Sequence, residues 1–92
     1  MRFLKVAHDN VQVGRKVAEI TKEQAEIEIM FYIDNCANWY YDEYVSPVQD
    51  SEDDIVISKA YEKAYGVAFD DLYSVGSLDI GDYDIVIEKE EV

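Results

Sequence analysis

Carboxylates dominate the chemistry-bearing side chains of this sequence, and their spacing has to be tested against each reaction they could support. Asp50, Glu52, Asp53 and Asp54, interrupted by Ser51, bunch and alternate as calcium loops do. Counted from Asp50, however, Ile55 stands where the sharp-turn glycine belongs and Tyr61 where the bidentate glutamate belongs, so no metal is expected there. Asp79, Asp82 and Asp84 read as turn acids as readily as a loose cation site. His8 is the only histidine; His8-Asp9-Asn10 has turn chemistry, and no nucleophile motif lies near it. Carboxylates could pair for acid–base work, but neither a glycine-rich loop nor a substrate-positioning basic cluster accompanies them. No catalytic residue, no metal and no cofactor is expected.

Charge narrows the ligand class. Eight Lys and Arg face 21 Asp and Glu, a net charge of −13, which repels polyanions. Free DNA or RNA is an unsuitable ligand, because its tight binding rests on cations that neutralise phosphates. The imbalance is uneven, with +3 over residues 1–22 and −16 over residues 23–92. With 49% hydrophobic residues the chain can still offset its conformational entropy, so a folded acidic domain over residues 1–92 is expected, not a disordered acidic tail. No apolar run is long enough to span a bilayer and no signal-type segment opens the chain. Cys36 is the only cysteine and cannot close an internal disulfide, which fits a reducing cytoplasm.

The elements that must position these groups are organised around Thr21–Val45. As a helix, this stretch gathers Ala25, Ile29, Met30, Ile33, Cys36, Ala37, Tyr40 and Tyr44 into an arc of about 140°. Cys36 then lies in the core as a small inert group. Glu28, Asp34 and Asp42 lie opposite, with Ile27, Phe31, Trp39 and Tyr41 on or near that side. Thr21 with Gln24 makes a capping box and favours the helix. Alternation of Ala25, Ile27, Ile29, Phe31 and Ile33 with Glu26, Glu28, Met30, Tyr32 and Asp34 supports a strand instead, turned by Asn35-Cys36-Ala37-Asn38 into a second one from Trp39 to Val45.

Before this stretch, Phe3, Leu4 and Val6 followed by Val11, Val13, Val17 and Ile20 predict a β-hairpin, with Gly14 as a bulge. After it, Pro47 disfavours helix at Ser46. Ser51 with Asp54 forms a second capping box, and a helix from about Glu52 to Tyr65 is predicted to stop at Gly66. Its inner face would be Ile55, Val56, Ala60, Ala64 and the stems of Lys59 and Lys63, with Tyr61 a further candidate. One further helical turn over 69–74 and a closing hairpin or single strand split at Gly81-Asp82 complete the chain. In the last strand Tyr83, Ile85 and Ile87 share one face. The expected fold class is α+β, with an N-terminal hairpin, two main helices and a C-terminal strand or hairpin in a small antiparallel sheet.

What remains is a surface of acids and aromatics, concentrated in Trp39-Tyr40-Tyr41-Asp42-Glu43-Tyr44. Carboxylates three or four residues apart on a helix lie about 5–6 Å apart, close to the phosphate spacing of a nucleic acid strand. The size, the charge and this Tyr-rich acidic surface resemble the small phage-encoded inhibitors that mimic nucleic acid, the anti-CRISPR and anti-restriction proteins. Tyr61-Glu62-Lys63-Ala64-Tyr65-Gly66-Val67 is similar to a helix end in one type I-F anti-CRISPR family. The resemblance implies a stoichiometric, non-enzymatic inhibitor that occupies the nucleic-acid channel of a nuclease or CRISPR or restriction effector, in the host cytoplasm. The residues expected to bind such a partner are Glu28, Asp34, Trp39, Tyr41, Asp42, Glu43, Asp50, Glu52, Asp53 and Asp54. The alternatives are a small domain that homodimerises through Phe31, Trp39 and Tyr41, or an acidic antitoxin that covers a basic toxin.

Overall fold

A computed structural model describes residues 1–8 and 17–88. The turn at Asp9-Asn10, the first half of the predicted second strand and the Gly14 bulge lie outside them, as does the C-terminal tail. The order is β1 (Arg2–Ala7), β2 (Val17–Ile20), α1 (Lys22–Asp34), a π-helical turn (Tyr41–Val45), a 3₁₀ turn (Ser46–Val48), α2 (Asp54–Val75), β3 (Ser77–Asp79) and β4 (Tyr83–Glu88). The strands form one antiparallel sheet ordered β2-β1-β4-β3. The α+β class, the N-terminal strand pair and the closing hairpin are therefore as the sequence predicts.

Register decides which side of the sheet is covered. Phe3 lies opposite both Ile20 and Ile87, and Leu78 lies opposite Ile85, so these apolar side chains share the face turned toward the helices. Tyr83 and Lys5 share that face, and the Lys5 ammonium lies 4.2 Å from the centre of the Tyr83 ring. Ile29 and Ile33 of α1, Val45, Leu72 of α2 and Ile85 of β4 are the largest fully buried side chains. Removing each from water contributes about 1.5–3 kcal/mol. The hairpin between β3 and β4 turns at Gly81, whose φ of 98° is one that glycine adopts without strain.

α1 starts as predicted. The Gln24 amide donates to Thr21 Oγ1 at 3.1 Å, and the Thr21 amide donates to Gln24 Oε1 at 3.0 Å. Ala25, Ile29 and Ile33 are its buried stripe. The single helix expected through Val45 is broken, however. Cys36 adopts φ 62°, and the Asn38 amide takes the carbonyls of Tyr32 at 2.8 Å and Ile33 at 3.3 Å. Asn38 Oδ1 in turn accepts from the Tyr41 amide at 2.9 Å, so one buried side chain closes α1 and opens the next turn. This break rotates Cys36 and Ala37 out of the predicted core stripe, and both are exposed. Tyr40 remains buried and Tyr44 half-buried.

α2 also departs from expectation. It runs through Gly66 to Val75 and ends at Gly76, whose φ is 90° and whose amide donates to Leu72 O at 2.7 Å. Burial of Ala64, Ala68 and Leu72 on one stripe carries the helix across Gly66 and absorbs the separate turn predicted over 69–74. Its N-cap is Asp53, whose Oδ1 accepts from the Ile55 amide at 2.9 Å; Ser51 Oγ accepts from Asp53 N, so the predicted Ser51–Asp54 box does not form. Ile55 and Val56 are exposed, as are Lys59 and Lys63, so the predicted inner face holds only from Ala60 onward. Ser46 is helical at φ −52°, ψ −41°, and Pro47 sits in the first turn of the 3₁₀ segment, where its missing N–H has no partner to lose.

Candidate functional site

Tyrosines from two elements build the side of the molecule on which the acids collect. Tyr61 and Tyr65 are one helical turn apart on α2, which sets their ring centres 6.0 Å apart, and the ring of Tyr41 from the π-helical turn lies 6.1 Å from Tyr61. The hydroxyls are used locally. Tyr65 donates to Asp34 Oδ1, Tyr41 donates to Gln49 Oε1 at 2.6 Å, and Tyr40 donates to Asp71 Oδ2 at 2.7 Å. Burial, helped by the Cys36 sulfur, pushes the Tyr61 phenol up to about 12. Burial and the bond to Asp34 raise Tyr65 further, and Tyr41 is raised by Cys36 and by nearby carboxylates that include Asp42 and Asp50. At neutral pH the negative charge here is therefore held by carboxylates, with the rings as neutral apolar walls.

The predicted residues divide by position. Asp34 is exposed at the end of α1; Asp42 and Glu43 are exposed in the π-helical turn; Asp50, Glu52 and Asp53 are exposed on the link into α2, and Asp54 is exposed as the first residue of that helix. Trp39 is 57% exposed and sits edge-on against Tyr40 and Tyr44. Tyr41 is half-buried within the tyrosine row. Glu28 does not join this group, because Lys5 reaches across from β1 and pairs with it at 3.0 Å.

Ion pairs among the described residues form at the sheet and the start of α1. Among the described residues, Arg2 pairs with Glu19 and Glu88, Lys5 with Glu28, and Lys22 with Glu26, all on the sheet or the first turns of α1. Residues 34–71 hold ten acids against Lys59 and Lys63, a net −8, and no salt bridge forms among them. The Lys63 ammonium lies over the Tyr44 ring at 5.5 Å.

Two further groupings bring together residues distant in the sequence. Asp34, Ser58, Tyr61, Glu62 and Tyr65 line an open cleft of about 510 Å³ between the end of α1 and α2. Of these residues only Asp34 was among those expected from the sequence to bind a partner. At the far end of the sheet, His8 Nε2 lies 2.7 Å from Asp84 and 3.9 Å from Asp79. These donors are of the type that holds a divalent cation, and they come within 4.8 Å of one another. They also brace the sheet end: the His8 amide donates to Asp82 O at 3.0 Å, and Asp79 Oδ1 accepts from the Gly81 amide at 2.8 Å. The Asp82 side chain, considered with them in the sequence, is not part of the cluster. No helix among the described residues is long and apolar enough to cross a membrane. No family model, curated protein or solved structure matches the chain.

Proposed function

We propose that this chain is a non-enzymatic inhibitor whose acidic–aromatic side docks on the Lys/Arg-rich nucleic-acid-binding surface of a DNA- or RNA-handling protein, such as a nuclease or a CRISPR or restriction effector. The observation that carries this reading is the segregation of charge. Arg2, Lys5 and Lys22 pair at the sheet and the start of α1, whereas Asp34, Asp42, Glu43, Asp50, Glu52, Asp53 and Asp54 stand exposed without an ion-pair partner among the described residues, although Lys59 and Lys63 lie in the same stretch of chain. Grouped like charges repel one another, so leaving them unpaired disfavours the fold and favours a cationic partner. Long-range attraction speeds the encounter, and Trp39 supplies an exposed aromatic anchor beside the acids.

The test is a competition. A protein retained from lysate by the immobilised chain is expected to be displaced by duplex DNA or by RNA and to lose affinity at least tenfold as salt rises from about 0.05 to 0.5 M. Asp42→Asn, Glu43→Gln and Asp54→Asn together are expected to abolish retention. Retention indifferent to both salt and nucleic acid would overturn the reading.

One observation favours a second reading. Ile27, Phe31 and Trp39 expose apolar surface on and just beyond α1, which would suit a homodimer. Sedimentation in high salt decides it: a dimer that persists there and dissociates on Trp39→Ala supports self-association, and a monomer removes it.

A further inference from the structure

The cleft between the end of α1 and the middle of α2 combines two features that act on the same ligand. Its walls include the rings of Tyr61 and Tyr65, and its lining holds the carboxylates of Asp34 and Glu62. Neither carboxylate has an ion-pair partner among the described residues, and Glu62 makes no side-chain hydrogen bond there either. Asp34 spends one oxygen on the Tyr65 hydroxyl, which fixes its orientation and leaves Oδ2 for another donor. The Tyr65 phenol in turn is held as a donor to Asp34, so its ring edge is locked. An aromatic face attracts a cation through its quadrupole, and an adjacent carboxylate adds a charge-assisted hydrogen bond.

We propose that this cleft receives an arginine side chain presented by the partner protein. The inference rests on the reading that the partner is basic, and it names the group by which that partner is gripped. The planar guanidinium satisfies both features together, stacking flat on a tyrosine ring while its fork of N–H groups faces the carboxylates. The 6.0 Å between the Tyr61 and Tyr65 ring centres is less than the roughly 7 Å needed to sandwich a flat cation between two faces, so the guanidinium lies across the rings and not between them. A lysine ammonium is a compact point charge without a face to stack, and it fits this lining less well. Ser58 lies at the wall of the cleft on the exposed surface of α2, where a larger side chain obstructs the space without entering the core.

The experiment needs no partner. Isotope-labelled protein is titrated with N-acetyl-arginine amide, N-acetyl-lysine amide and N-acetyl-citrulline amide, with backbone and tyrosine-ring NMR shifts as the readout. Saturable shifts centred on Ser58, Tyr61, Glu62 and Tyr65 are expected with the arginine probe, at a Kd on the order of millimolar for so small a ligand. Citrulline, which keeps the shape and lacks the charge, is expected to give none, and lysine is expected to bind at least threefold more weakly. Glu62→Gln and Asp34→Asn should each weaken arginine binding about two- to fivefold. Ser58→Leu should block it. Equal shifts with citrulline, lysine binding as tightly as arginine, or shifts spread evenly over Asp42, Glu43, Asp50 and Asp54 would each overturn the proposal. Asp42→Asn with Glu43→Gln separates it from the wider reading: that pair should leave probe binding intact while abolishing capture of the partner. Capture that survives Ser58→Leu undiminished overturns the cleft alone.

Discussion

Asn38 links the two halves of the helical layer with a single side chain. Its amide nitrogen donates to two carbonyls of α1 and its oxygen accepts the first free amide of the turn that follows. Because the residue is buried, removing that side chain leaves backbone groups without partners, at a cost that exceeds the net worth of the bonds themselves. Asn38→Ala is therefore expected to destabilise the fold by about 2 kcal/mol or more, read as a lower urea midpoint with an unchanged slope. His8 makes a second prediction at this scale. Its hydrogen bond to Asp84 is the main cause that raises its pKa above the ordinary 6.5, with Asp79 adding to the attraction and partial desolvation opposing it. A raised folded value means that protonated His8 is favoured in the native state. The stability it contributes is fully present below the unfolded value and is lost as pH rises through the folded one. The thermal midpoint should therefore fall between about pH 6 and 8, and the fall should vanish in His8→Gln or Asp84→Asn.

At the scale of elements, α2 shows tertiary packing overriding a local stop signal. Gly66 follows a helical run and carries no side chain, which in isolation suits a C-terminal cap. The chain instead continues because Ala68 and Leu72 have a core to enter, and the cap falls to Gly76, where φ is positive. Gly66 keeps helical geometry, and a methyl group built there would meet nothing within 4 Å. Gly66→Ala is thus expected to raise stability by about 0.5–1 kcal/mol, by relieving the entropic penalty of glycine within a helix. Calorimetry should show a gain of about 4–8 °C per kcal/mol in a domain of this size. Gly76→Ala is the control and should have the opposite sign, since its backbone is left-handed.

For the whole molecule, the decisive quantity is the distribution of the net −13. Ion pairs knit β1, β2, β4 and the start of α1, while residues 34–71 accumulate charge that only salt can screen. Raising NaCl from about 0.02 to 0.5 M, which shortens the screening length to a few ångströms, should therefore raise the thermal midpoint of the free protein. The same change should weaken the proposed capture of a basic partner. Opposite responses to one variable are the signature of an acid-rich surface held for binding; a thermal midpoint indifferent to salt would show that these carboxylates do not strain the fold.

Local pattern was enough for the α+β class, the Thr21 capping box, the buried stripe Ala25, Ile29 and Ile33, and the shared face of Tyr83, Ile85 and Ile87, because each depends on side-chain period or on neighbours a few residues away. The acidity and its crowding after residue 22 were likewise written in the composition. Tertiary structure alone decided where α1 breaks, how far α2 runs, that Cys36 faces outward, that Glu28 is taken by Lys5, and that Asp34 meets Tyr65 across a cleft. Lys5 and Glu28 are 23 positions apart and Asp34 and Tyr65 are 31 apart, while the break in α1 rests on Asn38, which reaches carbonyls five and six residues back only because its side chain is buried there. No period of 2 or 3.6 encodes such contacts, since they exist only once sheet and helices have packed.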